Sequence, residues 1–238
     1  MPVDRILPRS WFQAFLGAVA LMFLGGAILF AVSERTGGPS STDLGFLHDM
    51  ITHHEQAILM SNAQIVNGDS DASQLFAREI LQQQAYEIGM MQRRLEQWGQ
   101  LRDNRPPVAM EWMGMSFMPQ EMPGMASADE MRLLADASGP RNDALFFALM
   151  ADHHRGGVEM AAAAAADAQD PWVRDLATSM ARNQAIEINE MDAARARLGL
   201  PEFPEGFEHG EFMRMGEMGS GEADMEMGEM DMGDGTDG

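Results

Sequence analysis

The residues of this chain best suited to chemistry are two pairs of adjacent histidines, His53-His54 and His153-His154, set 100 positions apart. Imidazole is the commonest side-chain metal ligand. Each pair keeps the same company. Phe46, Met50, Ala57 and Met60 surround the first, and Phe146, Met150, Gly157 and Met160 surround the second at the same offsets. A further matched set follows at equal distance: Gln84, Glu87, Ile88 and Met91, then Gln184, Glu187, Ile188 and Met191. One His-His doublet arises easily by chance. Two doublets with shared Phe, Met and Gln-x-x-Glu-Ile companions read as a duplicated helix–turn–helix unit.

The donor types bound the metal. Thioether sulfur is soft and selects Cu(I), whereas imidazole accepts copper, zinc and iron. Met50 stands three residues before His53 and four before His54, on one helical face, and Met150 repeats this before His153 and His154. The candidate metal ligands are therefore Met50, His53, His54, Met60 and Glu87 in the first half, and Met150, His153, His154, Met160 and Glu187 in the second. Copper is the expected ion, Cu(I) before Cu(II), with zinc or iron as alternatives. A ferritin-type di-iron site calls for more inward glutamates and a Glu-x-x-His pair, which neither 46–60 nor 146–160 contains.

Two other readings of the same residues stay open. In one, Glu87 and Glu187 accept hydrogen bonds from buried histidines and fix the register, while methionine fills core gaps. In the other, a metal-dependent oxidase works around His54, Glu87, His154 and Glu187. Binding without catalysis is the primary expectation.

Such side chains need helices that turn them inward. Apolar residues recur at helical spacing from Thr42 or Asp43 to about Asn67, and on a helical wheel both histidines fall on the buried stripe, either side of Met50. His48 points roughly the opposite way. A second helix runs from Ser70 or Asp71 to about Trp98, closing an antiparallel hairpin through a short turn. Residues 100–126 have no clean period; Met110, Met113, Met115, Met118, Met122 and Met125 alternate there with Gly and Pro. Ser127-x-x-Glu130 is a capping box that opens a short helix. Pro140 starts the third long helix, and Asp170-Pro171 starts the fourth, which ends near Leu198. The expected architecture is all-α: an antiparallel four-helix bundle over 43–200, with hairpins at 43–99 and 140–199 joined by a Met-rich crossover at 100–139.

Outside the bundle the composition changes. Trp11 to Val32 carries no charge, long enough to span a bilayer, and Arg5 and Arg9 precede it. This predicts an uncleaved signal anchor over 1–35, in preference to a cleaved signal, and a linker over 36–42; either reading places the bulk of the chain on the periplasmic or extracellular side of a membrane. The 201–238 tail, with twelve acids, seven methionines and His209, is expected to be disordered. The methionines of crossover and tail are expected to sit in solvent without a packing role; they resemble weak copper-capturing motifs, and a disordered acidic, Met-biased tail with no specific ligand is the equal alternative. The whole chain has 24 Met, no Cys and a net charge of -21. No thiolate site is possible. The negative charge excludes a phosphate-binding surface for nucleic acid and suits metal cations as partners.

The segments Phe46-Leu-His-Asp-Met-Ile-Thr-His-His-Glu-Gln-Ala-Ile-Leu-Met60 and Phe146-Phe-Ala-Leu-Met-Ala-Asp-His-His-Arg-Gly-Gly-Val-Glu-Met160, with the Met-Pro-Gly-Met loop at 122–125, resemble the signature of the ferritin-like domain-of-unknown-function 305 family. The resemblance covers about 43–200. It implies a ferritin-like bundle, export from the cytoplasm and, in some members, periplasmic copper binding and copper tolerance. At matching positions it points to Met50, His53, His54, Met60, Met150, His153, His154 and Met160. His48 has no counterpart, because position 148 is Ala.

Overall fold

The computed structural model describes residues 38–101 and 104–202, with the isolated positions 22 and 204. Among the described residues there are five α-helices and no strand: α1 (Ser41–Asn67), α2 (Asp71–Gln97), α3 (Ala128–Asp136), α4 (Pro140–Asp167) and α5 (Pro171–Arg197). The expected membrane anchor at 11–32 and the acidic tail lie outside the described residues. Within them, no helix is long and apolar enough to cross a membrane.

Each helix starts where local chemistry satisfies its free N–H groups. Ser40, rather than Thr42 or Asp43, caps α1: its hydroxyl accepts from the Asp43 N–H, and the Asp43 carboxylate accepts from the Ser40 N–H at 2.8 Å. Ser70 caps α2, and the Ser127/Glu130 box opens α3. Asp170 caps α5 by accepting from the N–H groups of Trp172 and Val173. Pro140 and Pro171 stand in the first turns of α4 and α5, where a missing N–H costs nothing.

Helices α1 and α2 form one hairpin and α4 and α5 the other; the hairpins meet chiefly through α1 and α4. Two aspartates 100 positions apart make this joint reciprocal. Asp43, on α1, accepts from the N–H groups of Gln169 and Asp170 in the α4–α5 turn, at 3.1 and 3.0 Å. Asp143, on α4, accepts from the N–H groups of Asp69 and Ser70 in the α1–α2 turn, at 3.1 and 2.9 Å. The first turn of each central helix is thus bonded to the connection that follows the other. So α1 and α4 run antiparallel, and the approximate two-fold axis relating the hairpins passes near their midpoints. Those midpoints hold the His-His doublets.

The crossover is packed, not loose. The Asp49 carboxylate accepts from the Met110 N–H and the Trp112 indole N–H, both at 2.8 Å. Burial holds this carboxyl above its ordinary range, and the two hydrogen bonds pull it back. The Gln56 amide bonds both the N–H and the C=O of Ala126, at 2.7 and 2.8 Å. Arg105 forks onto Glu55 at 2.6 and 2.7 Å. Met110 and Met122 are buried in the core, and Met113, Met115 and Met125 pack against it. The expectation of solvent-exposed crossover methionines therefore fails there; Met118 alone of the six is exposed. Irregular backbone hides periodicity, and side-chain anchors far away in sequence do the burying.

Candidate metal centre

Adjacent residues on a helix point about 100° apart. A doublet at the midpoint of a central helix can therefore face two neighbours at once. His53 faces α4, where its ring lies 3.6 Å, centroid to centroid, from that of His153. His54 faces α2, where its Nε2 lies 2.7 Å from a Glu87 carboxylate oxygen. The second half repeats the pattern, with His154 Nε2 at 2.8 Å from Glu187 on α5. Ring centroids within each doublet are 6.5 and 6.1 Å apart. Two carboxylates and four imidazoles thus link α2, α1, α4 and α5 in that order.

All four imidazoles are fully buried, and their acceptors fix their tautomers. His53 Nε2 lies 3.3 Å from the Pro123 carbonyl, and His153 Nε2 lies 2.8 Å from the His53 carbonyl. A carbonyl only accepts, so each Nε2 carries the proton. The carboxylates ask the same of His54 and His154. All four Nδ1 atoms are left over, buried without a hydrogen-bond partner. Burial pushes the His53 and His153 pKa values well below 6.5, and the neighbouring histidines add to the shift. Both are neutral at pH 7. An imidazole whose far nitrogen donates to a carboxylate or carbonyl, with its near nitrogen free, is arranged as a metal ligand.

The crossover covers one side of this centre. Gly124, at φ +79°, sets its backbone against the carbonyls of Asp152 and His153, and an added Cβ on Gly156 would lie 2.0 Å from the Pro123 carbonyl oxygen. Only glycine permits this approach. Gly156→Ala is expected to push the 122–125 loop off α4, break the His53–Pro123 bond and cost about 1–3 kcal/mol. Thermal unfolding checks this; a wild-type melting temperature would mean the loop is not seated so closely.

The structure gathers some of the expected ligands and separates others. Met50, Met60, Met150 and Met160 are all fully buried. Met50 is one turn from His54, whereas Met60 is seven residues beyond His53, about 10 Å along the axis; Met150 and Met160 repeat this. Glu87 and Glu187 are hydrogen-bond acceptors for histidine. Among the described residues, no group of three or more His, Asp or Glu side chains is placed to hold a metal ion. His48 lies away from the stripe, buried beneath the crossover, with its pKa lowered by burial and by Arg105. Sequence reasoning missed Asp143, although its spacing from Asp43 equals the repeat. It also left Gln84 and Gln184 without a role; both are buried with unpartnered amide oxygens, Gln184 Oε1 filling the space that a Gly157 side chain would occupy.

The comparisons with known proteins agree with this architecture. The family model for the domain of unknown function DUF305 matches residues 43–195. A DUF305 protein from Streptomyces coelicolor, described as inferred to be secreted, has 35% identity and a TM-score of 0.63, covering 71% of this chain and 98% of that one. A DUF305 fragment from Deinococcus radiodurans has 25% identity and a TM-score of 0.57, covering 67% of this chain and 98% of its own. CopM, solved in a Cu(I)-bound form, has 26% identity and a TM-score of 0.52, covering 67% of this chain and 99% of that one. No curated protein matches the sequence. The chain is a member of the DUF305 family.

Proposed function

We propose that this protein binds copper outside the cytoplasm, chiefly as Cu(I), and sequesters it or passes it on in copper tolerance. The observation that carries the reading is the set of four buried imidazoles, each committed through Nε2 and each left with an unpartnered Nδ1. Glu87 and Glu187 orient His54 and His154 as donors. Met50 and Met150 bring sulfur within one helical turn of the imidazoles, which favours Cu(I) over zinc or iron. Met60 and Met160, two turns away, serve the same soft ion as separate stations. The surrounding core keeps water out. CopM, known with Cu(I) bound, supports the choice of metal, and the Streptomyces relative supports export. In this reading the ferritin-like bundle spans 43–200, residues 1–35 anchor it to a membrane, and the 201–238 tail collects ions.

The test is an anaerobic Cu(I) titration of the full-length chain against a chromophoric chelator. A His53/His54/His153/His154→Ala variant, with its helicity checked by circular dichroism, is expected to lose the tight sites. Unchanged affinity in that variant would overturn the reading.

A further inference from the structure

The register of each hairpin brings forward two thioethers not among the ligands named above. His54 on α1 is bonded to Glu87 on α2. The two helices are antiparallel, so four residues back along α1 and four residues forward along α2 move the same distance, about 6 Å, in the same direction. Those steps arrive at Met50 and Met91. Met50 and Met91 belong to one packed cluster, and both are fully buried. The other hairpin repeats the construction. His154 is bonded to Glu187, Gln184 packs against Gly157, and the same steps arrive at Met150 and Met191, also fully buried. Helical side chains lean toward the N-terminus, so each histidine leans toward the level of its methionine pair. Its Nδ1, the ring nitrogen nearer its own helix, is the one without a partner.

We infer that the chain holds two equivalent soft-metal sites, one inside each hairpin: Met50, Met91 and His54 Nδ1 in the first, and Met150, Met191 and His154 Nδ1 in the second. This rests on the copper-binding reading and adds its ligand set and stoichiometry. Two thioethers and one neutral imidazole form an uncharged, soft, three-donor set suited to a monovalent d¹⁰ ion. Glu87 and Glu187 stay outside the coordination sphere. They hold the rings and supply the negative charge that balances a buried cation. His53 and His153, stacked between the sites, separate them.

The experiment is a Cu(I) titration of the full-length chain against a chromophoric chelator, with methionine methyl NMR on the same samples. Met91→Leu and Met191→Leu keep the side-chain volume and remove the sulfur, a swap that packed cores tolerate well. Each single variant is expected to weaken one Cu(I) equivalent by at least about tenfold, the lower end of what loss of even an outer-shell partner costs. The double variant should weaken two. Met180→Leu, elsewhere in the same core, should leave both unchanged. The Met50, Met91, Met150 and Met191 methyl resonances should shift on loading. If Cu(I) binding depends on the histidines but survives intact in the Met91/Met191→Leu double variant, the two-site assignment is overturned while copper binding stands. If the wild-type chain takes up no Cu(I), both fall.

Discussion

Acidifying the metal-free protein from pH 7 toward pH 5 is expected to weaken the fold steeply. Burial and mutual repulsion hold the His53 and His153 pKa values well below 6.5 in the folded state. Unfolding returns both rings to water and to ordinary basicity. Below pH 6.5 the unfolded chain therefore binds protons that the folded chain refuses, and stability falls with pH. It is fully present above 6.5 and lost progressively until the depressed folded-state values are reached. Each site contributes a slope of about 1.4 kcal/mol per pH unit, so the pair gives nearly 3. His48, lowered by burial and by Arg105, adds in the same direction. Asp49 and Glu159 act with opposite sign: burial raises both carboxyls, so the folded state takes up their protons first, nearer the carboxylate range. Urea unfolding at pH 7.0, 6.0 and 5.5, with the unfolding proton uptake measured by calorimetry, isolates the histidine window. A stability that stays level from pH 7 to 5.5 would mean that the paired rings are not neutral and buried as described.

Removing the Asp143 carboxylate is expected to be the most damaging single substitution away from the metal centre. This side chain is 2% exposed and accepts four hydrogen bonds: Gln64 Nε2 at 2.6 Å, Ser73 Oγ at 2.7 Å, and the N–H groups of Asp69 and Ser70. Asp143→Ala takes from these donors the acceptor they share, leaving Gln64 and Ser73 only each other and the Ser70 carbonyl, and unfastens the α1–α2 turn from α4. Breaking a buried charged network of this kind costs about 3–5 kcal/mol. For a domain of this size that lowers the melting temperature by roughly 10 °C. Asp143→Asn should cost less. Three of the four bonds fall on Oδ1, which an asparagine oxygen can still serve, and only the Ser70 N–H on Oδ2 would meet an amide nitrogen. Thermal and urea unfolding of both variants provide the check. An Asp143→Ala protein within about 1 kcal/mol of wild type would show that the joint is held elsewhere.

Much of the helical architecture was legible in the sequence because helices announce themselves locally. Of the stripe Ala77, Ile80, Leu81, Gln84, Ile88, Met91 and Leu95, all are buried as the period predicts except the half-buried Leu81. The Ser127/Glu130 box, Pro140 and Asp170-Pro171 all start helices where expected. The duplication was readable because spacing survives in one dimension. The crossover was not readable. Met110 and Met122 are buried through anchors such as Asp49 and Gln56, more than sixty residues away in sequence, and no local period records such a contact.

The site divides in the same way. Composition and spacing alone placed four histidines, two glutamates and flanking methionines on inward faces, and limited the donors to imidazole, thioether and carboxylate with no thiolate. Tertiary structure alone decided which ring nitrogen is free. It bonded His54 to Glu87 and His153 to a backbone carbonyl, and it left every Nδ1 bare. It also decided which methionine faces which, because the level of Met91 against Met50 follows from the hairpin register. A helical period specifies the direction a side chain leaves its own axis. What it meets depends on where a second axis runs, and only packing between elements sets that.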